Sequence, residues 1–93
     1  MIDRLFLCRY DPKCAAVLSE LDPSAAVNDH FRGRQGQELY VFVAFSPEGV
    51  ADLLSTYDVE ASAVPLLLSF DGRTITDVAA IVRHFSESGM RKV

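Results

Sequence analysis

The 93-residue sequence has no tryptophan, only two cysteines, and no apolar run long enough to span a membrane or to form a signal-peptide core. The longest apolar run near the N-terminus, Leu5 to Cys8, follows Asp3 and Arg4. The chain therefore reads as an intracellular protein, mature from Met1. Basic residues are outnumbered, 9 against 13 acidic, for a net charge of -4. That leaves no positive field on which phosphate-driven binding could rest, so nucleic acid and anionic membranes are not expected partners. Cys8 and Cys14 are too few to staple a secreted scaffold, and their spacing from His30 and His84 is not that of zinc ligands. No metal and no cofactor is expected, and in a reducing compartment free thiols are the expected resting state.

Nor is there a linker, an internal repeat or a low-complexity tract. About half the residues are hydrophobic and a quarter charged, the balance of one soluble globular domain over residues 1–93. Ile2 to Tyr10 carries a continuous apolar stretch rather than strict alternation, which predicts a central strand buried on both faces. Asp11 and Pro12 stop it. Cys14 to Leu21 is rich in helix formers, with Ala15, Leu18 and Leu21 on one side, so a helix begins at Pro12 or Lys13. Asp22 to Gln37, broken by Pro23, Ser24, Asn28, Gly33 and Gly36, reads as the tail of that helix and a loop, with Arg32 and Arg34 as solvated charges.

Glu38 to Phe45 (ELYVFVAF) predicts a second strand buried on both sides. Ser46-Pro47 is a helix start, and Val50, Leu53, Leu54 and Tyr57 recur at helical spacing to pack on the sheet. Pro65 opens the strand Leu66 to Phe70, Asp71-Gly72 supplies a two-residue turn, and Arg73 to Thr76 returns. Val78, Ile81, Val82 and Phe85 form one face of a last helix, capped by Thr76 or Asp77 and ended by Gly89, near the basic Arg91 and Lys92. The order βαβαββα predicts an α/β fold: a four-stranded mixed sheet with helices on both faces.

Two segments carry a resemblance. Tyr57 to Gly72, with Val64-Pro65 opening the hairpin, resembles the cis-proline signature of the thioredoxin-like superfamily. The resemblance implies a cis bond at Val64-Pro65 and a loop there that lies beside the reactive cysteine and presents backbone to an extended partner. Arg9-Tyr10-Asp11-Pro12-Lys13-Cys14, a strand end, a Pro-containing turn and a cysteine opening a helix, is similar to the active-site entry of glutaredoxin-like and arsenate-reductase-like members. It is also similar to small thioredoxin-like proteins of large DNA viruses, which implies a virion-associated or assembly component as one form of the fold's use. On this resemblance Cys14 is the candidate nucleophile, and Tyr10, Lys13, Val64 and Pro65 are the candidate binding residues.

The departures bear on chemistry. No C-x-x-C dithiol exists: its partner position is Val17 read forwards from Cys14, and Asp11 read backwards. The two-cysteine disulfide cycle is therefore absent. Ile75-Thr76-Asp77-Val78 stands where glutaredoxins hold glutathione on a glycine-rich acidic turn, so the resemblance gives no support for a glutathione site.

Two readings stay open. A cysteine at the first turn of a helix sits among free amides that favour thiolate, and Lys13 adds to this, which makes Cys14 a monothiol oxidoreductase or redox-sensing centre. Alternatively, beside Ala15, Ala16 and Val17 it is an inert apolar residue, and the domain is a non-catalytic module that binds a protein partner or a second copy of itself. A Cys8–Cys14 bridge would need the Cα atoms within about 7 Å. His30 and His84 are read as exposed, and Asp52, Asp58 and Glu60 as a solvated acidic face.

Overall fold

The computed structural model describes residues 2–21, 28–59 and 63–93. Within them the chain runs β1 (Ile2–Cys8), α1 (Pro12–Leu21), β2 (Asn28–Arg32), β3 (Glu38–Ala44), α2 (Pro47–Thr56), β4 (Leu66–Leu68), β5 (Thr74–Ile75), α3 (Val78–Ser88) and β6 (Arg91–Lys92). The strands form one mixed open sheet in the order β5-β4-β1-β3-β2-β6. β1 is central, as its apolar run implies. It pairs in parallel with β3 from Ile2↔Glu38 to Cys8↔Ala44, and antiparallel with β4 from Arg4↔Leu68 to Phe6↔Leu66.

Alternation along β1 divides the core in two. Leu5 and Leu7 join Val17 of α1 and Ile81 and Phe85 of α3 on one face, with Leu39, Val41 and Val43 of β3. Phe6 faces the other way, onto Leu54 of α2 and Leu66. Each of these buried side chains contributes roughly 1.5–3 kcal/mol. The Phe6 ring stacks on Phe42 with centroids 5.6 Å apart and meets Tyr57 at 5.5 Å. Helices therefore cover both faces of an α/β sheet, two on one side and one on the other.

The expected count of four strands is corrected to six. Part of the segment read as loop is β2, which pairs antiparallel with β3 from Asn28↔Phe42 to Arg32↔Glu38. β6 then adds to its outer edge through Phe31↔Lys92 and Arg32↔Arg91. The polar text of β2 hid it, because among its described side chains only Phe31 is deeply buried. Arg32 lies on this strand beside Glu38, at 3.2 Å, and not in a loop. The expected tail of α1 at 22–27 and the acidic residue Glu60 lie outside the described residues.

Two hairpins share one turn geometry. In the first, Gly33 N–H donates to Gln37 O at 2.7 Å and Gly36 takes a φ of 84°; in the second, Ser69 N–H donates to Arg73 O at 2.8 Å and Gly72 takes 88°. Each loop is thus three residues long with a left-handed glycine last, so the two-residue turn expected at Asp71-Gly72 is corrected to Phe70-Asp71-Gly72. Only the final position needs positive φ, which glycine adopts without a Cβ penalty.

The helix starts follow the sequence more closely. Ser46 Oγ accepts the Gly49 N–H at 3.1 Å with Pro47 in the first turn of α2, and Asp77 caps α3 by accepting the Ala80 N–H at 2.9 Å. Replacing Ser46 by alanine is expected to lower stability by about 1 kcal/mol in urea unfolding, whereas Ser46→Asp, which keeps an acceptor, is expected to hold within about 0.5 kcal/mol of wild type. A larger loss for the aspartate than for the alanine would contradict this account of the cap.

Candidate functional site

The C-terminal end of β1 and the start of α1 build the site. Asp11 follows the strand and Pro12 opens the helix, an arrangement equivalent to Ser46-Pro47. Asp11 Oδ1 accepts the Lys13 N–H at 2.9 Å and the Cys14 N–H at 3.2 Å. The amides that could have favoured a thiolate are therefore already engaged by a carboxylate, whose own charge opposes a second anion nearby.

Cys14 itself is fully buried. The inward stripe of α1 is Cys14 and Val17, with Leu18 and Leu21 beside them, at i, i+3, i+4 and i+7. Ala15, expected on that face, is exposed instead. The pairing of β1 with β4 ends at Phe6↔Leu66, short of Cys8. There Cys14 Sγ accepts the Cys8 N–H at 3.3 Å. The sulfur thus satisfies a backbone donor at the place where the ladder stops.

Burial pushes the Cys14 thiol up from 9.0 to about 11, the nearby Asp11 carboxylate and the Cys8 sulfur push in the same direction, and the accepted Cys8 N–H pulls the other way. At neutral pH this sulfur is protonated and shielded from solvent. Such a group is a poor nucleophile.

Beside it lies an open cleft of about 540 Å³, lined by Cys8, Asp11, Pro12, Lys13, Pro47, Val50, Ala63 and Val64. The ends of β1, α1 and α2 converge here with the residues that precede β4. The Val64–Pro65 peptide bond is cis, as the cis-proline resemblance implied. Of the candidate residues, Lys13 and Val64 face the cleft. Pro65 is buried behind it, Cys14 lies in the core, and Tyr10 stands largely exposed outside its lining. Near the same end of the sheet Phe45 is half exposed, with the Arg9 guanidinium 5.8 Å from its ring centroid. Val50 of the apolar α2 stripe, Pro47 and Ala63 were not singled out by sequence, although Ser46-Pro47 marks where α2 begins. Cys8, expected by its apolar strand pattern to be buried, is instead partly exposed and is the cysteine that reaches the cleft.

The histidines are corrected. His84 is not a free surface group: its Nε2 lies 2.9 Å from Oδ2 of the buried Asp3. His30 is half buried, stacked at 4.5 Å on Tyr40, with its Nε2 3.3 Å from Glu38 Oε1. Both stand on sheet and helix surfaces remote in sequence from the cleft-lining residues. Among the described residues no three His, Cys, Asp or Glu side chains converge as metal ligands, and no helix is long and apolar enough to cross a membrane. Comparison of the chain with protein-family models, curated proteins and solved structures finds no match.

Proposed function

We propose that this chain is a thioredoxin-like domain without the dithiol, acting as a non-catalytic protein-binding module whose binding surface is the Lys13–Val50–Val64 cleft. The observation that carries the reading is the state of Cys14: fully buried, held protonated to about pH 11, with its helix-start amides given to Asp11. The fold assignment is supported by the sheet order β4-β1-β3 with β1 and β3 parallel, by α1 and α3 sharing one face and α2 the other, and by the cis bond before β4. β2 and β6 are then additions on the β3 side of that pattern. A component of a larger assembly, such as a virion, is one setting for such a module.

The cleft suits an extended protein segment. Its walls are mostly apolar, from Val50, Val64, Pro12, Pro47 and Ala63, while Lys13 and Asp11 at the start of α1 offer polar ends.

Two measurements test the reading. Alkylation of Cys14 in a Cys8→Ser background is expected to be slow at pH 7 and to become fast only on denaturation; fast modification of the native protein would make Cys14 a working nucleophile and overturn the non-catalytic assignment. Selection from a displayed library of random peptides is expected to yield binders that lose at least tenfold in affinity against Ala63→Arg, a substitution at an exposed cleft position outside the core. Binders indifferent to that change would place the binding surface elsewhere.

A further inference from the structure

We propose that Cys8 and Cys14 form a peroxide-driven intramolecular disulfide that withdraws the Cys8 thiol from the cleft wall. The inference rests on reading the cleft as the binding surface, but its chemistry can be measured without any partner. The two cysteines divide the requirements between them. Cys8 is partly exposed and lines the cleft, where a small oxidant can reach it, whereas Cys14 is closed to solvent.

Their separation suits a bridge. Cys14 Sγ is 3.3 Å from the Cys8 amide nitrogen. With an N–Cα bond of about 1.5 Å, that sulfur lies within about 5 Å of the Cys8 Cα. In a disulfide the partner sulfur stands about 2 Å from a sulfur that is itself two bonds from its Cα. A Cys14 sulfur within about 5 Å of the Cys8 Cα, in the cluster against which Cys8 packs, is therefore within reach of the Cys8 side chain. The unbridged state is stable as it stands, because the Cys14 thiol already has a hydrogen-bond role.

The chemistry balances with one equivalent of hydrogen peroxide. The Cys8 sulfur takes one oxygen as the O–O bond breaks, giving a sulfenic acid and one water. Cys14 is a poor nucleophile towards reagents in solution, but the sulfenic sulfur is an electrophile formed beside it, and that proximity carries the step. The Cys14 sulfur attacks the Cys8 sulfur; the S–S bond forms, the S–O bond breaks, and the departing hydroxide takes the Cys14 proton as a second water. The two thiols together lose two protons and two electrons, and the peroxide takes them to become two waters. Once its sulfur is tied to Cys14, Cys8 no longer presents a thiol to the cleft.

The test is peptide mapping of the full chain after treatment with hydrogen peroxide, quenching, denaturation and alkylation of remaining thiols. A monomer lighter by two hydrogen atoms, with the Cys8 and Cys14 peptides linked, is expected, and dithiothreitol is expected to reverse it. Cys8→Ser, whose substitution leaves the Cys14 sulfur in place, is expected to leave Cys14 unmodified under the same treatment. Cys8 recovered as sulfinic acid, or as an intermolecular Cys8–Cys8 dimer with Cys14 still alkylatable, would overturn the proposal. Because no ligand is used, that failure leaves the peptide-binding result untouched, and loss of peptide binding leaves this one untouched.

Discussion

Replacing Asp3 by alanine is expected to lower the stability of the domain by about 2–4 kcal/mol, with a reduced urea midpoint and an unchanged m-value. Asp3 is almost completely buried at the start of β1, yet it is not an orphan charge. Its Oδ1 accepts the Phe70 N–H at 2.8 Å and its Oδ2 meets His84 Nε2 at 2.9 Å. One carboxylate thus ties the central strand to the β4–β5 turn and to α3. Truncation leaves a backbone donor and an imidazole facing a void, and the cost comes mainly from those unpaired partners. His84→Gln, which can still donate and sits nearer to solvent, is expected to cost no more than about 1 kcal/mol. An Asp3→Ala protein as stable as wild type would mean that water replaces the carboxylate at both partners.

The contrast between that cluster and the rest of the fold shows what a local sequence pattern can carry. β1, β3 and α2 are legible because apolar density and helical spacing are properties of neighbouring residues, and because Ser46-Pro47 and Asp77 state their roles in a few letters. The β4–β5 hairpin is legible for the same reason, apart from the length of its turn. β2 is not, since one buried Phe31 among polar neighbours gives no period, although Gly36 stands in the same place before Gln37 as Gly72 before Arg73. Gly36 was a hairpin glycine that looked like a loop breaker. The buried side of α1 is legible in part: Leu18 and Leu21 pack against the core as expected, but Cys14 and Val17 are its buried residues and Ala15 is exposed. Asp3 and His84 are 81 positions apart, and nothing in either neighbourhood announces the other. At the site, the sequence places a cysteine at a helix start but cannot show that Asp11 has taken the amides, nor that Cys8 is the cysteine facing the cleft.

The stability of the domain is expected to depend on pH through Cys14 in a direction opposite to that of a catalytic thiolate. Its thiol is held at about 11 in the folded chain against 9.0 ordinarily, so the folded state keeps a proton that the unfolded chain releases first. Unfolding therefore becomes easier as pH rises through this interval. The contribution is complete below about pH 9 and gone above about pH 11, and a difference of this size corresponds to about 2–3 kcal/mol at about 1.4 kcal/mol for each pH unit. The measurement is the difference between wild type and Cys14→Ala in urea at a series of pH values, which cancels whatever the two proteins share. At pH 7 the wild type is expected to be the more stable by about 1–3 kcal/mol, for the lost sulfur contacts and the Cys8 N–H left without its acceptor. That margin is expected to shrink steadily between pH 9 and 11. A thiol lowered by its environment would give the reverse, a margin that grows as pH rises towards 9, because the folded state would then be the one that releases its proton first. A growing margin would restore Cys14 as a nucleophile. A shrinking one identifies it as a core residue whose resting role at neutral pH is that of a hydrogen-bond acceptor.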